Sequence, residues 1–354
     1  MSFDVILPFL RPVERLILDQ EISEIMVNGT GKVFIERAGL LEYVSGVSLE
    51  ENTLRIAVKN IARLLGDDIS DEQPLLDSRL PDGSRVAAVL PPCSVGGTTL
   101  TIRKFATKLY TADELVRIGS LDATALNILQ SALMERKNIL ISGGTSTGKT
   151  TMLNALATFI DRKDRIVLIE DTAELQLTHE NLVRFEARRQ QPSTPAVTIR
   201  DLLKATLRHR PDRILLGEVR GAEAFDLLQA LNTGHSGTLA TIHANNAAQA
   251  ITRLSSCVLQ SGIDLPFHAI RSSIADCINL LLHIERRDGR RFVSELVSIG
   301  RYDQASESIL ARPPLLRKVT RYSAGRGSSL SCRRPALSVS MSRHAYCAYK
   351  ERLR

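Results

Sequence analysis

Between Glu21 and Gly39 the chain reads EISEIMVNGTGKVFIERAG, with apolar and polar residues alternating on both sides of Asn28-Gly29. A period of two on each flank of an Asn-Gly pair predicts a β-hairpin. The next segment, LEENTLRIAVKNIARLLG, sets Leu54, Ala57, Val58, Ile61, Leu64 and Leu65 at helical spacing and ends at Gly66. That pattern predicts an amphipathic helix with a glycine stop. GSRVAAVLPP and TTLTIRKF read as two further strands, parted by a Pro- and Gly-containing loop at 91–97. Residues 1–105 are therefore expected to form a small α+β domain.

A polar stretch over 106–120 is the expected linker. From Asp122 onward, Leu126, Leu129 and Leu133 mark one helix face, which leads into an apolar strand over 138–142. Short apolar strands at 165–170, 213–217 and 238–243 then alternate with helical segments near 199–208 and 223–231. Alternation of this kind means an α/β domain, here residues 121–304, with a mainly parallel sheet between helices and ligands at the C-terminal strand ends. No internal repeat is visible. The last fifty residues, 305–354, are rich in Ser and Arg without sustained periodicity and read as a basic, disordered tail.

Charge changes this picture only at that tail. It holds 11 basic side chains against 2 acidic, whereas residues 1–304 hold 35 basic against 37 acidic. The pI of 9.3 thus belongs to the tail and is no nucleic-acid footprint on the folded part. An aromatic fraction of 4% with no Trp also argues against a base-stacking surface. Charges at Asp4, Arg11, Glu14, Arg15 and Asp19 break the apolar run that a signal peptide needs, and no window reaches the length of a membrane span. Cys93, Cys257, Cys277, Cys332 and Cys347 are widely spaced with no CxxC pair, which suits reduced thiols and not a disulfide frame or zinc site.

Chemistry concentrates in KNILISGGTSTGKTTM, residues 137–152. A strand that only fills a core has no need of glycines, a lysine and threonines at fixed offsets. Gly143, Gly148, Lys149 and Thr150 fit the phosphate-loop pattern, between a strand and the helical TTMLNALATFI. In such a loop the backbone N–H groups of Gly143, Gly144, Thr145, Ser146, Thr147, Gly148 and Thr151 are available to a triphosphate, and the helix N-terminus adds its positive end. Lys149 then reaches the terminal phosphates, and the Thr150 hydroxyl ligates Mg²⁺. Acidic groups follow two later strands: Glu170-Asp171 with Glu174, and Glu218. Taken singly each is an ordinary cap or surface ion pair; near phosphate-bound Mg²⁺ such carboxylates hold the metal's waters and orient a nucleophile. TGHSGTLATIHANN puts His235 and His243 at the two ends of a further strand, where a histidine is placed to sense a γ-phosphate.

Taken together, SGGTSTGKTT, LIEDTAEL, LRHRPDRILLGEVRGAEA and TGHSGTLATIHANN resemble the Walker A, Asp box, Walker B and His box of the secretion-superfamily traffic ATPases. SEIMVNG, RLPDGSRVAAVLPP and TLTIRKF carry the resemblance into the first domain, so it covers residues 20–303. The match is strongest to the TrbB-type ATPases of conjugative type IV secretion. The resemblance implies a RecA-like P-loop NTPase domain, a flexible linker, ATP and Mg²⁺ between the two domains, and a homo-hexameric ring. It implies that Lys149 and Thr150 hold nucleotide and metal, that Glu170 and Glu218 position metal and water, and that His243 is the His-box residue. Arg85 and Arg103 match arginines that contact the phosphates; Arg210, Arg213 and Arg220 are weaker candidates. A guanidinium that neutralises transition-state charge is what phosphoryl transfer rewards. Two features depart from the family: Ser146-Thr147 replaces a Gly-Ser or Ser-Ser pair, and the tail beyond Asp303 matches nothing in it.

The implied function is a cytoplasmic ATPase, peripheral on the inner membrane and recruited by its secretion partners, that drives pilus biogenesis and DNA or protein transfer. General-secretion and type IV pilus motors commonly carry a four-cysteine zinc module, so the lack of CxxC favours the conjugative branch, with a Tad-like pilus motor as the alternative. A ring motor gripping single-stranded DNA is opposed by the near-neutral body, from which no stable nucleic-acid binding is expected. A non-hydrolysing, nucleotide-gated scaffold is opposed by the presence of both Glu170 and Glu218.

Overall fold

The computed structural model describes residues 3–29, 31–105, 109–188, 190, 194–303, 308–311 and 316–317. A short helix α1 (Glu14–Leu18) precedes strands β1 (Ile22–Val27), β2 (Lys32–Arg37) and β3 (Leu40–Ser48). Helix α2 (Glu51–Leu64) and strands β4 (Leu75–Arg79), β5 (Arg85–Val89) and β6 (Thr99–Arg103) follow. The expected hairpin forms with Val27 opposite Val33, closed by Asn28 N–H donating 2.9 Å to the Lys32 carbonyl. The sheet runs β3-β2-β1-β6-β5-β4 with antiparallel neighbours. Leu54, Val58 and Ile61 of α2 are buried in one cluster with Ile25, Val27 and Ile102 of the sheet. β3 was not foreseen: it is an edge strand with almost every side chain exposed, so it shows no apolar alternation.

The chain continues through α3 (Ala112–Arg117) and α4 (Ala123–Met134) into β7 (Ile139–Gly143), α5 (Lys149–Ala157), β8 (Ile166–Glu170) and β9 (Leu182–Glu186). Then come α6 (Ile199–Thr206), β10 (Arg213–Val219), α7 (Glu223–Asn232), β11 (Leu239–His243), α8 (Ala247–Leu259) and α9 (Phe267–Cys277). Strands β12 (Leu280–Arg287), β13 (Arg290–Asp303), β14 (Ser308–Ala311) and β15 (Leu316–Arg317) complete the described elements. They build one sheet in the order β14-β13-β12-β7-β11-β10-β8-β9, with β15 also on β13. From β9 to β12 all pairs are parallel; β13 turns back antiparallel.

Burial on both faces explains the unbroken apolar strands. Ile139, Ile141, Ile166, Leu168 and Leu215 face one core with α4 and α5, whereas Leu140, Val167, Ile169, Ile214 and Leu216 face the other with α6 to α9. Within the stretch expected as a linker, α3 starts at a capping box: Thr111 Oγ1 accepts from Glu114 N–H at 3.2 Å, and Glu114 Oε2 accepts from Thr111 N–H at 2.9 Å. Leu115 of α3 is buried in the first of these cores. Past residue 304, where a disordered tail was expected to start, β14 and β15 pair with β13; the rest of 305–354 lies outside the described residues.

The two sheets meet through ion pairs. Arg79 of β4 reaches Glu186 Oε1 at 2.6 Å and the Ala173 carbonyl at 2.9 Å, and Arg286 of β12 reaches Glu36 Oε1 at 3.0 Å and the Gly39 carbonyl.

At the N-terminal edge of the parallel sheet Arg213 is 3% exposed, with its Nε 2.7 Å from Asp164 Oδ2 and its Nη2 3.0 Å from the Leu133 carbonyl. It is a structural residue on the edge opposite the phosphate loop, which removes it as a site candidate. Asp164→Ala strands this buried guanidinium, so unfolding free energy should fall by about 3–5 kcal/mol, read by urea denaturation. A second buried group lies in β12. His283 Nδ1 is 2.8 Å from Ser142 Oγ of β7, and the ring also hydrogen-bonds the Asn245 backbone. Burial pushes its pKa below 6.5, helped by Lys149 and opposed by Glu295 and Glu285. Well above pH 6.5 neither folded nor unfolded chain protonates this ring; as pH falls through that value the unfolded chain takes up a proton that the folded site resists. Stability should therefore decline as pH falls from 7.5 to 5.5, and the decline should be shallower in His283→Gln. Equal slopes in thermal melts of the two proteins would remove His283 from the linkage.

Candidate functional site

The phosphate loop is shaped by what a side chain would strike. A Cβ on Gly143 would lie 2.5 Å from Thr147 Oγ1 and 2.7 Å from the Ile284 carbonyl of β12, so only glycine lets β7 end beside β12 and turn. Gly148 has φ +94° and opens α5, and Ser146 takes φ +55° without being glycine. Thr147 Oγ1 donates 3.0 Å to the Gly144 carbonyl, fixing the turn from within. Thr145 is exposed at the tip, while Thr150 and Thr151 sit half-buried in the first turn of α5. Lys149 is only 8% exposed and donates to the Gly143 and Gly144 carbonyls at 3.1 and 2.8 Å. Burial pushes its pKa down.

Strand order decides what faces this lysine. β11 lies beside β7 in parallel register with His243 opposite Gly143, and β10 and β8 follow. The C-terminal ends of neighbouring strands thus deliver the loop, His243, Glu218 and Glu170 to one edge. His243 Nε2 is 3.2 Å from Lys149 Nζ and 3.0 Å from Glu218 Oε1. Glu218 Oε2 pairs with Arg220 Nη2 at 2.9 Å, and Arg220 Nη1 with Asp171 Oδ2 at 2.9 Å. Burial lowers the His243 pKa, with Glu218 opposing and Lys149, Arg220 and Arg253 assisting, which favours the neutral ring.

Glu170 is differently employed. It is 3% exposed, and its Oε1 accepts from the N–H groups of Glu174 at 2.8 Å and Leu175 at 2.9 Å, with Arg184 3.6 Å from Oε2. Burial raises its pKa against those donors. The carboxylate therefore holds the loop after β8. Glu174 in turn pairs with Arg85 Nη2 at 3.2 Å. Arg85 stands opposite Arg103 across β5 and β6, and Arg103 is near enough to Lys149 to help lower its pKa. Arg103 thus shares a sheet face with Arg85 and stands within electrostatic reach of Lys149 in the same chain.

His235 lies at the other end of β11, its Nδ1 3.1 Å from the Ala230 carbonyl, and takes no part in this edge. Arg210 is exposed in the turn before β10 and forms none of these contacts. Two residues at the site escaped sequence reading. Arg291 Nε donates 2.9 Å to the Ser146 carbonyl, and His283 sits behind Ser142. Neither belongs to a recognisable motif; both arrive because β12 and β13 fold back beside β7.

Comparison with known proteins identifies the family. The family model for type II/IV secretion system proteins matches residues 9–302. A probable conjugal transfer protein TrbB of Sinorhizobium fredii is 37% identical over 300 residues, 82% of this chain and 89% of that protein. The type IV secretion system protein PtlH of Bordetella pertussis is 37% identical over 309 residues, 79% of this chain and 90% of that protein. Among solved structures, the ATPase DotB of Legionella pneumophila has the same fold, with a TM-score of 0.57 over 84% of this chain and 81% of its own at 21% identity. With its RecA-like sheet and its four motifs on one edge of that sheet, the chain belongs to the type II/IV secretion system protein family, among the traffic ATPases.

Proposed function

We propose that this chain is the ATPase of a conjugative type IV secretion machine: a ring of six copies that hydrolyses ATP and converts the cycle into domain motion for pilus biogenesis and DNA or protein transfer. Membrane components of the machine recruit the ring to the cytoplasmic face of the inner membrane. The observation that carries this reading is the meeting of Lys149, His243 and Glu218 at adjacent strand ends, 3.2 and 3.0 Å apart through one imidazole nitrogen. The conjugal transfer and type IV secretion relatives supply the transport context.

ATP binds with its phosphates in the loop 143–148 and against the N-terminus of α5, where Lys149 exchanges the Gly143 and Gly144 carbonyls for phosphate oxygens. The donors present fit Mg²⁺. Among the described residues no group of three or more His, Cys, Asp or Glu side chains forms an all-protein cage. Mg²⁺ at phosphate sites takes one or two protein oxygens and completes its shell with phosphate and water. The Thr150 hydroxyl and the Glu218 carboxylate would be those oxygens, and the ion would neutralise phosphate charge when bound. Once Lys149 turns to the phosphates, His243 is free to donate to Glu218 and fix the carboxylate that orients the attacking water. Glu170 holds the loop that carries Glu174, and Glu174 holds Arg85 until phosphate charge draws the arginine away. Arg103 neutralises charge on the transferred group.

Lys149→Ala should abolish binding of a fluorescent ATP analogue as well as turnover, whereas Glu218→Gln should bind normally and hydrolyse at least about 100-fold more slowly. Wild-type turnover in either variant would remove the site assignment. A ring holds the arginine-bearing sheet closed over the loop, so ATPase rate per subunit should climb as light scattering shows hexamers forming. Arg103→Ala should keep its fold and its hexamer mass while losing on the order of a thousandfold in rate. A flat, negligible wild-type rate despite nucleotide binding would mark a nucleotide-gated scaffold instead.

A further inference from the structure

Within the phosphate loop Ser146 has a φ of +55°, a left-handed conformation that an L side chain rarely keeps unaided. One contact from outside the loop meets it there: Arg291 Nε, donating 2.9 Å to the Ser146 carbonyl. The arginine stem also lies along the loop, since a Cβ on Gly148 would stand 3.6 Å from Arg291 Cδ. Among the described residues no carboxylate pairs with Arg291; Glu36 is taken by Arg286, and Arg286 and Arg103 crowd Arg291 with like charge. A surface arginine left to itself turns toward a carboxylate or toward water.

Its backbone is fixed as firmly as its head. Ser120 Oγ donates 2.7 Å to the Arg291 carbonyl, and Val293 N–H donates 2.8 Å to the Ser120 carbonyl. Ser120 ends the segment that leads from the first sheet through α3 into α4, so two hydrogen bonds tie that connector to the start of β13.

We propose that Arg291 is a positioning residue of the phosphate loop, which holds Ser146 in its left-handed turn and ties the loop through Ser120 to the connector between the two sheets. The contact shapes the loop before nucleotide arrives, and a displacement of the connector reaches the phosphate-binding amides through one side chain. This rests on the nucleotide reading above for its affinity consequence only; the effect on loop order needs no ligand.

The test uses the full-length protein with Arg291→Ala, with Arg291→Lys as the variant that keeps stem and charge, and with Ser146→Gly alone and combined with Arg291→Ala. Without nucleotide, amide hydrogen exchange in residues 144–148 should speed up several-fold in both Arg291 variants, and to a lesser degree in Ser120→Ala. Unchanged exchange in the Arg291 variants overturns the inference whether or not the protein binds nucleotide, and unchanged exchange in Ser120→Ala overturns the link to the connector. Affinity for a fluorescent ADP should drop about tenfold in Arg291→Ala, the scale of one left-handed residue no longer held. Glycine tolerates that φ without strain, so the double variant should recover most of the affinity that Arg291→Ala loses. A double variant as weak as Arg291→Ala would mean that Arg291 acts on the phosphates directly, and the inference fails. No ADP binding by the wild type would overturn the nucleotide reading and leave the exchange result to decide this one.

Discussion

One imidazole nitrogen governs the edge of this sheet. His243 Nε2 lies within hydrogen-bonding distance of both Lys149 Nζ and Glu218 Oε1, yet a single ring nitrogen either donates or accepts. If it accepts from the ammonium, its lone pair region also faces the carboxylate; if it donates to Glu218, the ammonium faces an N–H. Protonating the ring does not resolve the conflict, because burial and the neighbouring cations resist a second positive charge beside Lys149. On the proposed nucleotide reading, an incoming phosphate would resolve it, by taking Lys149 away and leaving the nitrogen to Glu218. On that reading the hydrogen bonding of this group is incomplete until phosphate is bound, which would link occupancy at the loop to the orientation of the carboxylate on β10.

The same edge depends on what the opposite edge secures. Parallel strands bring their ends together only when their starts are in register. Asn138 does much of this: its Oδ1 accepts from Gly237 and Thr238 N–H at 2.8 and 3.0 Å, and its Nδ2 donates 2.7 Å to the Cys277 carbonyl. One side chain thus joins the approaches to β7, β11 and β12. Arg213 adds β10 and the end of α4 through Asp164 and Leu133. Buried polar groups satisfied at one end of the strands set the register by which His243 meets Gly143 at the other.

How much of this was legible in the sequence follows from where each signal resides. The apolar runs of β7, β8, β10 and β11 are local and bury on both faces, so their existence and order could be read. The loop glycines and Lys149 sit at fixed offsets because their geometry is local too. β3 and β9 were missed because their side chains are largely exposed or half-buried and carry no clear period. Arg291 and His283 were missed for another reason. Their relation to Ser146 and Ser142 spans 145 and 141 residues and is created by β12 and β13 folding back on β7. Glu170 was legible as an acidic residue after a strand, but its engagement by two backbone amides depends on the path of the loop that follows.

That loop is where the two bodies of the chain act on one another. Residues 171–175 are held from below by Glu170 through the amides of Glu174 and Leu175, and from the other sheet by Arg79 at the Ala173 carbonyl and Arg85 at Glu174. Both grips are charge-assisted, yet they differ in what competes with them. Glu170 is buried among donors that phosphate does not displace. Arg85 and Arg79 are partly exposed guanidiniums, and Arg85 shares its sheet face with Arg103 near Lys149. On the proposed nucleotide reading, a phosphate anion in the loop would attract the arginines and repel Glu174, weakening the outer grip and leaving the inner one intact. On the proposed function, ligand charge would move the first sheet relative to the second, while the edge that carries Lys149, His243 and Glu218 keeps its form. A nucleotide cycle has this asymmetry available for converting phosphate charge into displacement.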